Sequence, residues 1–526
     1  MSRSVLFSIR NLSRVKLWVK ITVSVVLLAL VGWPVWVFVV TPLTSCGPDV
    51  ERIAGQCIGV TDGQAELNAD LKDVLSKIRL ENEHVADQPA VSVAYLVPLP
   101  IPSGNGMSAE ATRLRHELEG AHIAQLQANH TATLGDGLKV RLLVANSGDQ
   151  SSQWPRAVSK LLKMVDGPKP LVAVVATGKT LSGTIDSIDA LRSGGVPVVA
   201  SRLAGDRLTN LSPEELATVR GGLARLAPTG KDQAEAAAAY LKRGNAEGSQ
   251  LSSKALIIRD VNPEDPYLES IENGFRNKFV DPGHAVLEPS ETYDSRLGGV
   301  ASSMIGILQN ICIQRPDVVF FAGRSSALES FVQVLPRRPC PDLSINVMGN
   351  GDTVDFSTTV AQGDPELVKE LVKGLNANAS VRYTGQAHPN AWKSPSDKFF
   401  QPAATSTLSS TFNSLFPGEM LEDSGAIIGY DAIVTTVTAI HPANDEPDLV
   451  SQAFKRLHGT KAVPGASGWI SIDPLGPVNK AVFILQVMPD GLKFVELSSA
   501  RGSPCVPETS LPPDTVSPIP AGTSSC

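Results

Sequence analysis

The chain has 526 residues, 42% of them hydrophobic and only 5% aromatic, with 46 Lys and Arg against 53 Asp and Glu and a net charge of −7. That balance excludes a general nucleic-acid binder, whose affinity comes from cations neutralising phosphates. Few aromatics beside abundant Ala, Val, Gly and Leu favour helices packed on parallel strands over a lectin-like sandwich, and the length suffices for two lobes.

Five cations and no acid (Arg3, Arg10, Arg14, Lys16, Lys20) precede residues 21–40, a run of twenty without a charge. At 1.5 Å per helical residue such a run spans ~30 Å, the thickness of a hydrocarbon core. Residues 1–16 are therefore expected as a basic cytoplasmic tail and 17–41 as a transmembrane helix. The bulk of the chain then lies on the extracytoplasmic side of the plasma membrane, because the basic flank stays inside. The run exceeds a secretory h-region and no small-x-small cleavage site follows, which favours an uncleaved anchor. Leu43-Thr44-Ser45-Cys46 resembles a lipobox, so processing as a lipoprotein at Cys46 is the competing reading. Without the five N-terminal cations the exterior carries 41 cations against 53 acids.

Residues 42–89 read as a polar, disulfide-pinned stalk with a helix over 65–83. A strand follows at 91–97, an amphipathic helix at 109–129 and a strand at 139–145. Residues 171–210 form one βαβ unit: strand 171–176, a loop rich in Gly and hydroxyls, helix 185–192, a Gly-Gly turn, and strand 196–200. Such a unit sets small polar side chains and free amides at the carboxyl ends of parallel strands, where open α/β sheets bind small molecules. Helix 231–242, strand 255–259, helices 267–279 and 302–313, and strand 317–322 continue the alternation. After Ala361 come a helix, an insertion-like segment, an apolar helix at 429–440, a hairpin-like region at 468–487, and a Pro-rich tail over 497–526.

The six cysteines follow the hydrophobic run and fall into local couples: Cys46 with Cys57, Cys312 with Cys340, Cys505 with Cys526. An oxidising compartment makes disulfides the expected state, although six cysteines allow fifteen connectivities. No couple has C-x-x-C spacing, and His116, His122 and His130 do not align on one helical face, so no metal is expected and these histidines read as surface residues. Residues 173–180, AVVATGKT, end like a phosphate-binding loop but have Ala where that motif needs its first Gly. Gly104-Asn105-Gly106 begins a G-x-G-x-x-A without an acid about twenty residues on that ends a second strand. No G-x-S-x-G elbow is present, and no acid, base and nucleophile converge, so no enzyme and no cofactor are expected.

The order ELEGAHIAQLQAN, VVATGKTLSGT with GGVPVVASRLAGDRLT, LARLAPTGKDQAEAAAAYL, ALIIRDVNPEDPYLESIENGF, RPDVVFFAG, GYDAIVTTVTAI and GASGWISID resembles the type I periplasmic solute-binding proteins, in particular the branched-chain amino acid branch. The shared order runs over roughly residues 90–495. The resemblance implies an α/β fold of two Rossmann-like lobes with parallel sheets, joined by a three-segment hinge that bends to close a cleft. Lobe 1 would comprise 90–226 plus 354–464 and lobe 2 would comprise 228–352 plus 466–496, with crossings near Ala227, Thr353 and Gly465.

By position, the resemblance places a ligand carboxylate on Ser182, Gly183 and Thr184, with Ala204 and Gly205 after the next strand, and with Ser103 and Gly104 in a lining loop. Ser182 and Thr184 could equally cap the helix that follows. On lobe 2 it implicates Tyr267, and the register of the family acid falls on Gly351, with Asp352 one place on. Gly205 replaces a hydroxyl residue and Leu268 replaces a glycine of the family pattern. Arg324 and Ser325 would face the cleft, and an arginine there favours an anionic or polyol ligand unless it is simply solvated. Two functions follow: a tethered solute-binding protein delivering an amino acid-like solute to an ABC permease, or a sensor or interaction module of the same fold read by a partner membrane protein.

Overall fold

The computed structural model describes Thr22 and residues 45–101, 108–134, 138–244, 252–393, 399–443, 446–473 and 476–507. The expected tail at 1–16, nearly all of the expected span at 17–41, Ser103, Gly104 and Cys526 lie outside the described residues. Among the described residues no helix is long and apolar enough to cross a membrane.

The first half of the chain builds one eight-stranded sheet. Its strands are β1 (Ser45–Gly47), β2 (Val50–Ile53), β3 (Gln56–Thr61), β4 (Ala90–Val97), β5 (Lys139–Asn146), β6 (Leu171–Ala176), β7 (Val198–Ala200) and β8 (Leu223–Arg225), in the order β1-β2-β3-β5-β4-β6-β7-β8. The five from β5 to β8 are mutually parallel, and β3 adds antiparallel to β5. Every residue of β4 and β6 is buried, because helices cover both faces, and their unbroken Val, Ala and Leu runs follow from that. The helices are α1 (Lys72–His84), α2 (Ala109–His130), α3 (Trp154–Leu162), α4 (Ser182–Ser193) and α5 (Pro213–Thr218).

The expected disulfide-pinned stalk at 42–89 is, in its described residues, part of the first lobe. Those residues supply β1–β3 to the sheet edge, pinned by Cys46–Cys57, and Asn82 of α1 donates to the carbonyl of Leu142 on β5 at 2.8 Å. The alternation of Gln56, Ile58 and Val60 was too short and Gly-interrupted to read as a sheet edge.

The second half builds the other lobe. It holds α6 (Gly230–Arg243), β9 (Lys254–Asp260), α7 (Pro266–Phe279), β10 (Ala285–Tyr293), α8 (Val300–Gln314), β11 (Val318–Ala322), α9 (Ser325–Val334), β12 (Ile345–Gly349), α10 (Thr353–Gln362), α11 (Pro365–Leu375) and β13 (Ala379–Gly385). The sheet order is β10-β9-β11-β12-β13, all parallel, followed by two antiparallel strands from the end of the chain. Cys312–Cys340 ties α8 to the loop before β12. Cys505 is also disulfide-bonded.

The expected return to lobe 1 at Thr353 is corrected. Helices α10 and α11 stay with lobe 2, because β13 pairs in register with β12 from Ile345↔Ala379 to Gly349↔Tyr383. The chain leaves the second sheet only after Gly385. It then forms α12 (Pro402–Leu415), α13 (Gly425–Ile440) and α14 (Pro447–Phe454), short hairpins β14 (Val463–Gly465) with β15 (Gly468–Ile470) and β16 (Ile472–Asp473) with β17 (Gly476–Pro477), and closing strands β18 (Val482–Met488) and β19 (Gly491–Ser498).

Helix α13 is buried almost throughout and lies against α2. Glycines set that contact: a Cβ at Gly120 would come within 1.9 Å of the Ala426 carbonyl oxygen, and one at Gly429 within 1.9 Å of that of Glu117. The close approach fixes α2, and α2 carries Glu110, Arg113 and Glu117 of the cleft. At the final crossing, Asp431 of α13 accepts from the amides of Ala466 and Ser467 at 2.6 and 2.9 Å, and Lys480 donates to the carbonyl oxygens of Ser467 and Gly468.

Candidate functional site

The loops at the carboxyl ends of the two parallel sheets meet across a cleft, where open α/β sheets bind ligands. From lobe 1 come Gly178, Lys179 and Thr180 after β6, Arg202 and Ala204 after β7, and Arg113 on α2. From lobe 2 come Gln233, Tyr267, Arg324, Gly351 and Asp352. Together they bound a cavity of about 40 Å³, room for a few waters. Lys179, Arg324 and Asp352 also border a larger chamber of about 470 Å³ between α2 and α9–α10.

Local backbone geometry delivers these groups. Gly178 has φ +104°, and a Cβ there would meet Pro98 Cγ at 2.5 Å, so only glycine turns β6 sharply enough to aim Lys179 inward. The Gly205 amide donates to Thr180 Oγ1 at 3.0 Å and binds the two lobe 1 loops together. On lobe 2, Tyr267 donates its hydroxyl to Gln233 Oε1 at 3.1 Å, and the Gly351 amide donates to the same oxygen at 3.1 Å.

The cleft charges are paired. Glu117, buried on α2, accepts from Arg202 at 2.6 Å, Thr177 Oγ1 at 2.6 Å and the Tyr95 hydroxyl at 2.9 Å. Lys179 pairs with Glu110 at 2.9 Å. Arg113 reaches across the cleft to Asp355 of α10 at 2.7 Å. Arg324 forks onto Asp265 at 2.6 and 2.8 Å and reaches Asp352 at 3.3 Å.

Burial opposes charge at Asp352, but Arg324 and Lys179 overcome it and hold the carboxyl below its usual range. Burial likewise opposes the charge of Lys179, and Glu110 more than restores it. At Asp355 burial wins over Arg113, and its pKa rises.

The expected residues divide. Ala204, Tyr267, Arg324 and Asp352 come together at the cavity, and the Ser325 amide donates to Asp352 Oδ2 at 2.8 Å. Gly205 is engaged with Thr180. Ser182, Gly183 and Thr184 are not at the cavity: Thr184 Oγ1 sits 3.1 Å from Ser151 Oγ, and Gly183 packs on the carbonyls of Gln150 and Ser151. The loop residues just before them, Gly178 to Thr180, take that place, because the chain enters the cleft before α4 begins. The G-K-T triplet dismissed as a nucleotide loop was the signal for them. Arg113 and Glu117 carried a fainter one, charges on a helix face that otherwise packs against α13.

Two of the three histidines are also corrected. His116 and His122 are buried, and His116 lies 2.6 Å from Asp423 and 3.0 Å from Glu419. Burial works against its charge, yet these acids raise its pKa to about 10. Among the described residues no group of three or more metal-ligating side chains converges.

Two α/β lobes, each with five parallel strands and an antiparallel extension, around a charged cleft at the strand ends, define the type I periplasmic binding fold. Solved structures share it at low sequence identity, a likeness that carries the fold alone. A leucine-binding protein from Thermotoga maritima is 18% identical with a TM-score of 0.55, the match covering 80% of this chain and 100% of that one. The branched-chain amino acid substrate-binding protein LivJ of Streptococcus pneumoniae, solved with isoleucine, is 14% identical with a TM-score of 0.53 over 78% of this chain and 99% of that one. A solute-binding protein of an ABC transporter from R. palustris, in complex with benzoate, is 15% identical with a TM-score of 0.53 over 80% and 99%. No protein-family pattern and no curated protein sequence matches the chain. The chain thus has the fold of the branched-chain amino acid ABC transporter substrate-binding proteins.

Proposed function

We propose that this is a membrane-tethered, extracytoplasmic solute-binding protein that closes its lobes around a small polar solute bearing a carboxylate and presents it to an ABC permease. The observation that carries this reading is the cavity wall itself, to which both lobes contribute: it presents Arg113, Lys179, Arg202 and Arg324 with one carboxylate, Asp352, while the acids that pair with the first three, Asp355, Glu110 and Glu117, stand behind the lining, and the Nε of Arg113 has no hydrogen-bond acceptor among the described residues. Cations held in a water-poor cleft attract an anion more strongly than they would at a surface. The charge-free run at 21–40 supports the tether, and the disulfide at Cys46 supports the uncleaved anchor, because a sulfur in that bond cannot also carry a lipid.

The test is a thermal-shift screen of amino acids, carboxylic acids, polyamines and sugars on the detergent-solubilised chain. A solute at a hundred times its dissociation constant stabilises by about 2.7 kcal/mol. A carboxylate among the hits supports the reading, and hits confined to polyamines or neutral sugars overturn it. A sensor role is the second reading, favoured by the small cavity and the mutual pairing of its charges. A screen in which no solute moves the melting temperature selects that role.

A further inference from the structure

Lobe 2 contains a complete niche for a cation: the carboxylates of Asp265 and Asp352 and the face of the Tyr267 ring, all three residues buried. The chain fills this niche itself. Arg324 donates from Nε and Nη2 to Asp265 at 2.6 and 2.8 Å and from Nη1 to Asp352 Oδ1 at 3.3 Å, and its guanidinium carbon lies 4.7 Å from the centre of the Tyr267 ring. A fork onto a carboxylate combined with a stack on an aromatic face is how a site holds a bound guanidinium or ammonium.

The cavity's own lining offers a ligand little acid, whereas the larger chamber beside it adds Glu110, Glu329, Asp355 and Asp364, of which Glu110 and Asp355 are paired with Lys179 and Arg113. Asp352 is the only carboxylate among the described residues lining the cavity, and its second oxygen already accepts from the Ser325 amide at 2.8 Å. Facing it, Arg113 is 1% exposed, and its Nε has no hydrogen-bond acceptor among the described residues. An incoming carboxylate would meet an under-coordinated guanidinium. An incoming ammonium would be desolvated beside cations, and the one carboxylate of the lining is already engaged by Arg324 and the Ser325 amide.

We propose that Arg324 is a specificity-determining residue, a built-in cation that occupies the place of a ligand's amino group, so that the cleft selects carboxylic acids lacking an α-ammonium over the corresponding amino acids. The inference rests on the solute-binding reading above and narrows its ligand class.

The test is calorimetric titration of the full chain with matched pairs: leucine and 4-methylpentanoate, phenylalanine and 3-phenylpropanoate, glutamate and pentanedioate. In each pair that binds, the member without the amino group is expected to bind about tenfold tighter or more, as for sites that leave a buried polar group unpaired. Arg324→Ser empties the niche and is expected to shift the preference toward the amino acid. Arg324→Lys keeps the charge without the fork and is expected to retain the acid preference in reduced degree, which separates a selectivity change from a folding defect. An amino acid that binds wild type as tightly as its partner overturns the inference and leaves solute binding standing. Binding by no member of any pair overturns the inference too; solute binding then stands or falls with the wider screen.

Discussion

Arg113 and Glu117 lie one turn apart on α2, yet their pairs differ in kind. Glu117 takes its three bonds from Tyr95, Thr177 and Arg202, all in lobe 1, so this cluster exists whether the cleft is open or shut. Arg113 finds its carboxylate on α10 of the other lobe, and that contact forms only when the lobes meet. The first pair therefore lies within one lobe and the second spans the cleft. On the proposed function, energy invested in the first belongs to folding, whereas energy in the second trades against ligand binding.

Substitutions should separate the two. Arg202→Ala leaves Glu117 buried without its cation, and urea unfolding should show a loss of about 3–5 kcal/mol. A cost under about 1 kcal/mol would break the distinction. His116, next to Glu117 on the chain, adds a pH dependence. Because its pKa in the fold is raised to about 10, its contribution is complete below about pH 6.5 and fades as pH rises toward 10. Unfolding free energy should fall by about 1.4 kcal/mol per pH unit between pH 7 and 9, and His116→Gln should flatten that slope. Gly429→Ala puts a methyl against the Glu117 carbonyl and pushes α2 from α13, at a cost of about 1–3 kcal/mol in the same assay.

Asp355→Asn should behave otherwise. Global stability should change by less than about 1 kcal/mol, because an open cleft lets Arg113 meet water, while solute affinity falls about tenfold, equivalent to about 1.4 kcal/mol. A large stability loss with unchanged affinity would place Arg113–Asp355 in the same category as Arg202–Glu117.

The fold was legible because buried parallel strands leave continuous apolar runs such as 171–176, and because strand and helix alternate at regular lengths. Strand β13 was missed: Val381 and Tyr383 alternate with Ser380, Arg382 and Thr384, a weak signal beside the polar segment that follows, and without it the second crossing fell at Thr353 instead of beyond Gly385. At the cavity, Ala204, Tyr267 and Asp352 were placed by the family resemblance and Arg324 by the strand it follows, and all four line it. The partners of Arg324 were not legible, since the pairing with Asp265 spans 59 residues and appears only when the ends of β9 and β11 sit side by side. The arginine that suggested a free anion site proved to be already engaged.

The distance between the lobes tests the account most directly. Nitroxide labels on Arg156→Cys of α3 and Lys369→Cys of α11, whose native side chains are 58% and 70% exposed, would report it by pulsed electron spin resonance. A carboxylate solute from the screen should narrow the distribution and shift it to one closed distance, and Asp355→Asn should weaken that shift. One distance, identical with and without every solute, would contradict a cleft that closes on its ligand.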